Sequence, residues 1–431
     1  MTLATTILAT TIPAMTIPAM TIPAMTIPAM TEAMIKSPVP GFRRGLLATG
    51  FLLSVALGPA WGEASWETSI YPEDQLFPSF LISTATAGVP EDAKDMWDVP
   101  QVGDANGVIG ALVHDVRKGE HVRVTVKANA MMEESTFEGV VRKTRDDLLV
   151  HPKIKYRYEA LAKVHQQRPL NVSIETWIDD ESLGEQTVTV DLRSINDCLF
   201  AVLNDDGEME FDANWNFAAY VNENHPWVDE ILREALDTGV VNAFDGYQSG
   251  KPEDVILQIY AIWNVMQRRG MHYSNITTTA VESDTVLSQH VRLLDESVKS
   301  HQANCVDGSV LLAAVLRKIG LRTFLVLVPG HMFLAVDLED DDDDSMVGIE
   351  TTMMGNDDLG HFDKLRKISA GEREKLKNQA SFKTFEAAVD TGTAALDEDA
   401  KHFDDEDDSD YQLIDLAEAR SEGIMPLGYE K

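Results

Sequence analysis

The chain has 431 residues, 44% of them apolar and 25% charged, enough for two or three globular domains with self-supporting cores. Acidic side chains outnumber basic ones by 71 to 36, a formal charge of −35, so the basic footprint needed for nucleic-acid phosphates or an anionic membrane surface is missing. The only two cysteines, Cys198 and Cys305, exclude a disulfide scaffold and a multi-cysteine zinc module.

Residues 11–30 repeat Thr-Ile-Pro-Ala-Met four times. A proline every fifth residue forbids a regular helix or a central strand, and the period is too short for a solenoid. Residues 1–33 therefore read as low-complexity sequence or an over-extended start, with Met34 as the initiator. Residues 34–62 carry Arg43-Arg44, the apolar run Gly45 to Leu57 and the small residues around Ala60-Trp61-Gly62. A basic pair, a short apolar core and a small-residue site are the parts of a cleaved secretory signal. The run is shorter than a membrane-crossing helix. The expected product is exported, periplasmic or extracellular, with no membrane span in the mature chain. The alternative is an uncleaved N-terminal anchor.

Residues 65–210 are β-like. His121 to Val126 alternates as HVRVTV, Leu170 to Ile178 reads LNVSIETWI, Gln186 to Leu192 reads QTVTVDL, and Asn196 to Val202 adds a further strand. Short β-branched runs divided by polar turns predict an immunoglobulin-like β-sandwich. Its expected work is binding or spacing, since no chemistry is visible in it.

Residues 215–395 are helical at first and then mixed. Helices are expected over Pro226–Leu236, Pro252–Arg269 and Ser283–Lys299. In the next stretch, Asn304 is a natural N-cap and Asp307 sits in the first helical turn, where a carboxylate suits the dipole. Val310 to Leu316 is apolar all round, so the helix should be buried up to Gly320. Arg322–Val328 and His331–Leu338 read as strands joined at Pro329-Gly330, with a third strand at Met346–Glu350 and a helix from Phe382 to Val389. Residues 396–431 form an acidic tail expected to lack fold.

The chemistry-bearing residues come in the order thiol, imidazole, carboxylate. Cys305 opens a buried helix, where unpaired amides and the dipole favour a thiolate. His331 opens a strand from which it can serve as general base and then acid. A hairpin loop centred between Asp340 and Asp341 sets Glu350 directly opposite His331. Opposed residues share a face, so Glu350 can orient the ring. A one-residue slip would turn it away. Gln302 is a candidate second oxyanion donor. A Cys198–Cys305 disulfide is the competing use of the two thiols in an oxidising compartment.

The run from Cys305 to Thr352 resembles the transglutaminase-like branch of the papain-like thiol enzymes, most closely a bacterial exported subgroup. The matching pieces are Asn304-Cys305-Val306-Asp307, Leu316-Arg317-Lys318-Ile319-Gly320, Pro329-Gly330-His331 and Ile349-Glu350-Thr351-Thr352. The region from about 252, including Tyr273, matches more loosely. Departures are Glu350 where an Asp is usual and Thr351 where a Pro is usual; Phe333 supplies the familiar aromatic after the His. The resemblance implies an α+β fold, with a papain-like/transglutaminase-like core preceded by the β-sandwich. It also implies a cysteine peptidase, amidase or acyltransferase with peptide or protein substrates. The alternative is an inactive binding or scaffold module on the same fold. No cofactor is required. Calcium is a candidate ligand of two acidic runs, Glu339–Asp344 and Asp397–Asp410. Both lack EF-hand spacing, and such runs are usually solvated.

Overall fold

Period-two runs in the first half form the strands that the alternation predicts. In the computed structural model, residues 64–88, 100–142, 147–204, 206–274, 283–340, 345–355, 370–403 and 410–428 are described, with side chains from Ser381 onward in the 370–403 segment. The repeat, the signal-like segment and parts of both acidic runs lie outside them. All described residues fall within one compact unit, Leu52–Lys431, which is mixed α+β.

The strands are β1 (Ser65–Ile70), β2 (Gln75–Leu76), β3 (Gln101–Gly103), β4 (Ile109–His114), β5 (His121–Val126), β6 (Ser135–Val140), β7 (Asp147–His151), β8 (Arg168–Ile178) and β9 (Glu181–Leu192). They make two sheets, β1-β4-β7-β3 and β2-β9-β8-β5-β6. Ile109, Ala111 and Val113 of one sheet and Val122, Val124, Val172 and Ile174 of the other are buried in a common core. Two short helices accompany them, α1 (Pro78–Ser83) and α2 (Tyr158–Leu161).

The predicted strand near 196–202 forms as β10 (Asp197–Leu203), but it joins neither sheet. It lies between β11 (Met209–Asp212) and a strand from much later in the chain, β13 (Val286–His290). The expected single helix over Ser283–Lys299 is therefore corrected: this stretch is β13 followed by the short helix α5 (Leu294–Ser300). Pairing with β10 buries Val286, and a nonlocal partner of this kind overrides the helical pattern. At this junction Arg193, 1% exposed, donates to Asp197 Oδ2 at 3.2 Å, Gln75 Oε1 at 2.7 Å and Ser288 Oγ at 3.3 Å, tying the β9 end to β13.

The second core is built around a sheet ordered β17-β16-β15-β18. Its strands are β15 (Thr323–Val328), β16 (His331–Asp337), β17 (Met346–Ile349) and β18 (Gln412–Asp415). Helices α3 (Pro226–Asp237) and α4 (Pro252–Arg268) share its core, and packed directly on the sheet is α6 (Cys305–Lys318). The last is buried from Val310 through Leu316, as its all-round apolar sequence requires. Two more short strands, β12 (His272–Tyr273) and β14 (Gln302–Ala303), pair in parallel just ahead of α6.

Two expectations about the C-terminal region are overturned. The helix expected at 382–389 extends as α7 over Ala370–Phe403. The tail is not without fold: β18 pairs with β15, and α8 (Leu416–Ser421) and the segment after it bury Ile414, Leu416, Ala419, Ile424 and Leu427. Those apolar residues are spaced among the charges, so overall acidity concealed them. Backbone bonds from Met425 N to Ser83 O at 2.8 Å and from Leu427 N to Ala219 O at 2.7 Å fasten the chain end to two separate elements. Burying large side chains contributes about 1.5–3 kcal/mol each. Deleting residues 411–431 is thus expected to lower the melting temperature by roughly several degrees, measured by circular dichroism. An unchanged melt would show the segment to be dispensable.

Candidate active site

Cys305 is the first residue of α6, and its position follows from the cap before it. Asn304 Oδ1 accepts from Asp307 N at 2.8 Å, and Asp307 Oδ2 accepts from Asn304 N at 3.1 Å. This reciprocal box stops the helix from starting earlier. The same Asp307 carboxylate accepts from Arg292 N at 2.8 Å and from the Arg292 guanidinium at 2.6 Å. With Asp307 1% exposed, this is a buried, charge-assisted anchor. Ser309 Oγ donates to Cys305 O at 2.8 Å. Asp307 was legible as a first-turn acid. Arg292 was not, because nothing in a local pattern links residues fifteen apart. Arg292→Met would strand a buried carboxylate and is expected to destabilise the protein by about 3 kcal/mol, read by chemical denaturation; wild-type stability would remove the pair from this role.

His331 is placed by the β15–β16 turn. Val328 pairs with His331 across Pro329-Gly330, and Gly330 takes φ +71°, the second central position of a Pro-Gly turn where a side chain is strained. The ring of His331 stacks on Phe333 with centroids 6.2 Å apart.

Glu350 reaches His331, but not through the register expected. The β16–β17 pairing sets Leu334 opposite Ile349, so one step further Glu350 is level with Phe333 rather than His331. The hairpin centre lies one residue further along than expected, which moves each partner by two, and an even shift keeps the same face. Glu350 follows the last paired residue of β17 and caps a 3-10 turn at Thr351–Met353. From there its Oε2 lies 2.7 Å from His331 Nε2. Its Oε1 accepts from Thr352 N at 2.9 Å and Thr352 Oγ1 at 2.6 Å.

Close approaches lock these elements together. A Cβ on Gly308 would lie 2.9 Å from Thr351 Oγ1, so the turn after Glu350 rests directly on the first turn of α6. A Cβ on Gly348 would lie 2.2 Å from the Gly392 backbone, bringing β17 against α7. Glu350 N also donates to Ala388 O at 2.9 Å.

The electrostatics follow from the contacts. Burial disfavours a charged His331, but hydrogen bonds with Cys305 and Glu350, and their charges, outweigh it and push the imidazole up to about 10. For Glu350, burial acts upward, yet the bonds to His331 and Thr352 hold the carboxyl below its usual range. Tyr273 stands at the rim, with its amide on Met354 O at 3.2 Å. Burial first, then nearness to Cys305 and Glu350, raises its hydroxyl. Gln302 is half-buried on β14. Among the described residues its side chain makes no hydrogen bond in this cluster. Cys198 is fully buried away from Cys305, and both thiols are free.

Residues 341–344 and 404–409, half of the two acidic runs considered for calcium, lie outside the described residues. Among the described residues no group of three or more His, Cys, Asp or Glu converges as a metal would need, and no helix is long and apolar enough to cross a membrane.

The pair has a signed pH dependence. Because His331 in the folded protein titrates near 10, above its ordinary 6.5, its contribution to stability is fully present below about 6.5 and is lost as pH rises through about 10. Glu350→Gln is expected to lower the midpoint of His331, observed by ring NMR. The stability gap to wild type should close above pH of about 10. A midpoint unmoved by Glu350→Gln would contradict the assignment.

No family model and no curated protein matches this chain.

Proposed function

We propose that Cys305, His331 and Glu350 form the active centre of a thiol enzyme acting on peptide or amide bonds, of the transglutaminase-like kind that the sequence resembles. One observation carries this reading: an imidazole held at Nε2 by a carboxylate and interacting with a helix-initial thiol. A thiol, a base and a group orienting the base are the requirements of nucleophilic catalysis. In the first step Cys305 passes its proton to His331 and its Sγ bonds to the carbonyl carbon while the carbonyl π pair moves to oxygen. The capping box engages the amide of Asp307 and leaves those of Cys305 and Val306 free to face that oxygen. His331 gives its proton to the departing amine as the C–N bond breaks. Water or a second amine then attacks the acyl-enzyme, His331 takes a proton from it, and Cys305 leaves. Hydrolysis makes the protein a peptidase or amidase; capture by an amine makes it an acyltransferase.

Two sheets closing on one core support a β-sandwich, and a helix carrying the thiol against a sheet carrying the imidazole supports a papain-like core. The signal-like segment supports export.

The two cysteines give an internal control. Burial, with the charge of Asp197 adding to it, pushes the Cys198 thiol well up, so an alkylating agent should spare it. Iodoacetamide is expected to label Cys305 selectively, and His331→Ala to slow that labelling about 100-fold, followed by peptide mass spectrometry. Equal rates in the two proteins would overturn the proposal. A glutamine peptide offered with a primary amine then separates release of ammonia alone from amide transfer.

A further inference from the structure

We propose that Thr352 is the positioning residue that fixes the Glu350 carboxylate against His331; this rests on the thiol-enzyme reading of the cluster.

A glutamate in this position carries one more rotatable bond than an aspartate, and each freely rotating bond costs entropy to fix. Something must hold it. Glu350 caps the turn that follows it, so its chain folds back on its own backbone. Oε1 is occupied by two donors of one residue, the Thr352 amide at 2.9 Å and hydroxyl at 2.6 Å. Oε2 is left to His331 Nε2 at 2.7 Å. With its two oxygens bound on separate sides, the carboxylate cannot rotate about its terminal bond without losing a charge-assisted bond. The amide contact alone would not do this. A single N–H at 2.9 Å allows the oxygens to exchange, whereas the hydroxyl adds a second direction on the same oxygen.

The neighbouring threonine has a different task. Thr351 Oγ1 lies 3.4 Å from Cys305 O and 3.3 Å from Ser309 Oγ, against the bare Cα of Gly308. Thr351 thus sets the turn on the helix that bears the thiol, while Thr352 sets the carboxylate on the ring. The two adjacent threonines fix the separation between nucleophile and acid from both ends. The titratable groups facing Glu350 are His331 and, from β12, Tyr273.

The test uses the full chain. Thr352→Val keeps the shape and the backbone amide but removes the hydroxyl; Thr352→Ser restores it; Thr352→Ala is a second deletion should valine perturb the fold. Melting curves check that each variant is folded. Two quantities are read: the Glu350 carboxyl titration by carbon NMR, and the pH profile of Cys305 alkylation by iodoacetamide. In Thr352→Val the Glu350 midpoint should rise, since a donor to the charged form is lost. Alkylation near neutral pH should fall about 10-fold. Thr352→Ser should return both. An unmoved Glu350 midpoint overturns the proposal. A moved midpoint with unchanged alkylation also overturns it, because Thr352 would then serve the fold alone. The thiol-enzyme reading fails separately, if wild-type Cys305 reacts no faster than in His331→Ala; the carboxyl titration still reports on Thr352 in that case.

Discussion

The Asp307 carboxylate, out of contact with water at the start of α6, is the point on which the candidate site depends. It closes the cap with Asn304 and binds both the amide and the guanidinium of Arg292. A buried ion of this kind costs desolvation, and is tolerable only when each lone pair is used. Here the bonds come from three directions, so the first helical turn can take only one orientation. Cys305 is the residue that this orientation presents. The segment just before α5 is thereby coupled to the nucleophile through a single carboxylate.

The sheet beside α6 is covered on both faces, and glycine sets how closely. Gly308 admits the turn after Glu350, and Gly348 with Gly392 admits α7 against β17. α7 is therefore more than a cover, since its Ala388 carbonyl takes the Glu350 amide. The acid is supported from behind by a helix that the local sequence gives as only two turns long. Trp263 and Tyr260 of α4 meet Phe385 of α7 at centroid distances of 5.9 and 5.5 Å. That aromatic seam binds α7 to the core carrying the site, and such contacts hold without exact polar registration.

The first two sheets are joined to the remainder by apolar and polar contacts together: Phe77 shares a buried cluster with Leu199, Val202 and Val286, and a polar network lies beside it. Arg193 is buried among Asp197, Gln75 and Ser288, with its guanidinium 5.2 Å from the Phe77 ring. Ser79 adds a bond to Asp197 O at 2.6 Å. The C-terminal segment reaches α1 through Ser83. Directional bonds of this type fix a mutual orientation more sharply than apolar area alone.

Much of this was determined by local sequence. Alternation is intrinsic to a strand, so HVRVTV and LNVSIETWI became β5 and β8 with little displacement. Capping is equally local, and Asn304 with Asp307 marked the start of α6 to the residue. The Pro-Gly turn set His331 at the head of its strand. Tertiary structure decided what depends on distant partners. Val286–His290 became a strand because β10 offered an edge, not because its own residues demanded it. The tail folded because β15 offered another edge and a core had room for Ile414 and Leu427. Register across an acidic loop has no local determinant, so Glu350 arrived two residues from its expected partner and still on its face. The bonds of Arg292 to Asp307 lie in the same class, since they need a partner fifteen residues away whose position the fold sets; those of Thr352 to Glu350 are local, a cap between residues two apart, and what the fold decides is that this cap meets His331.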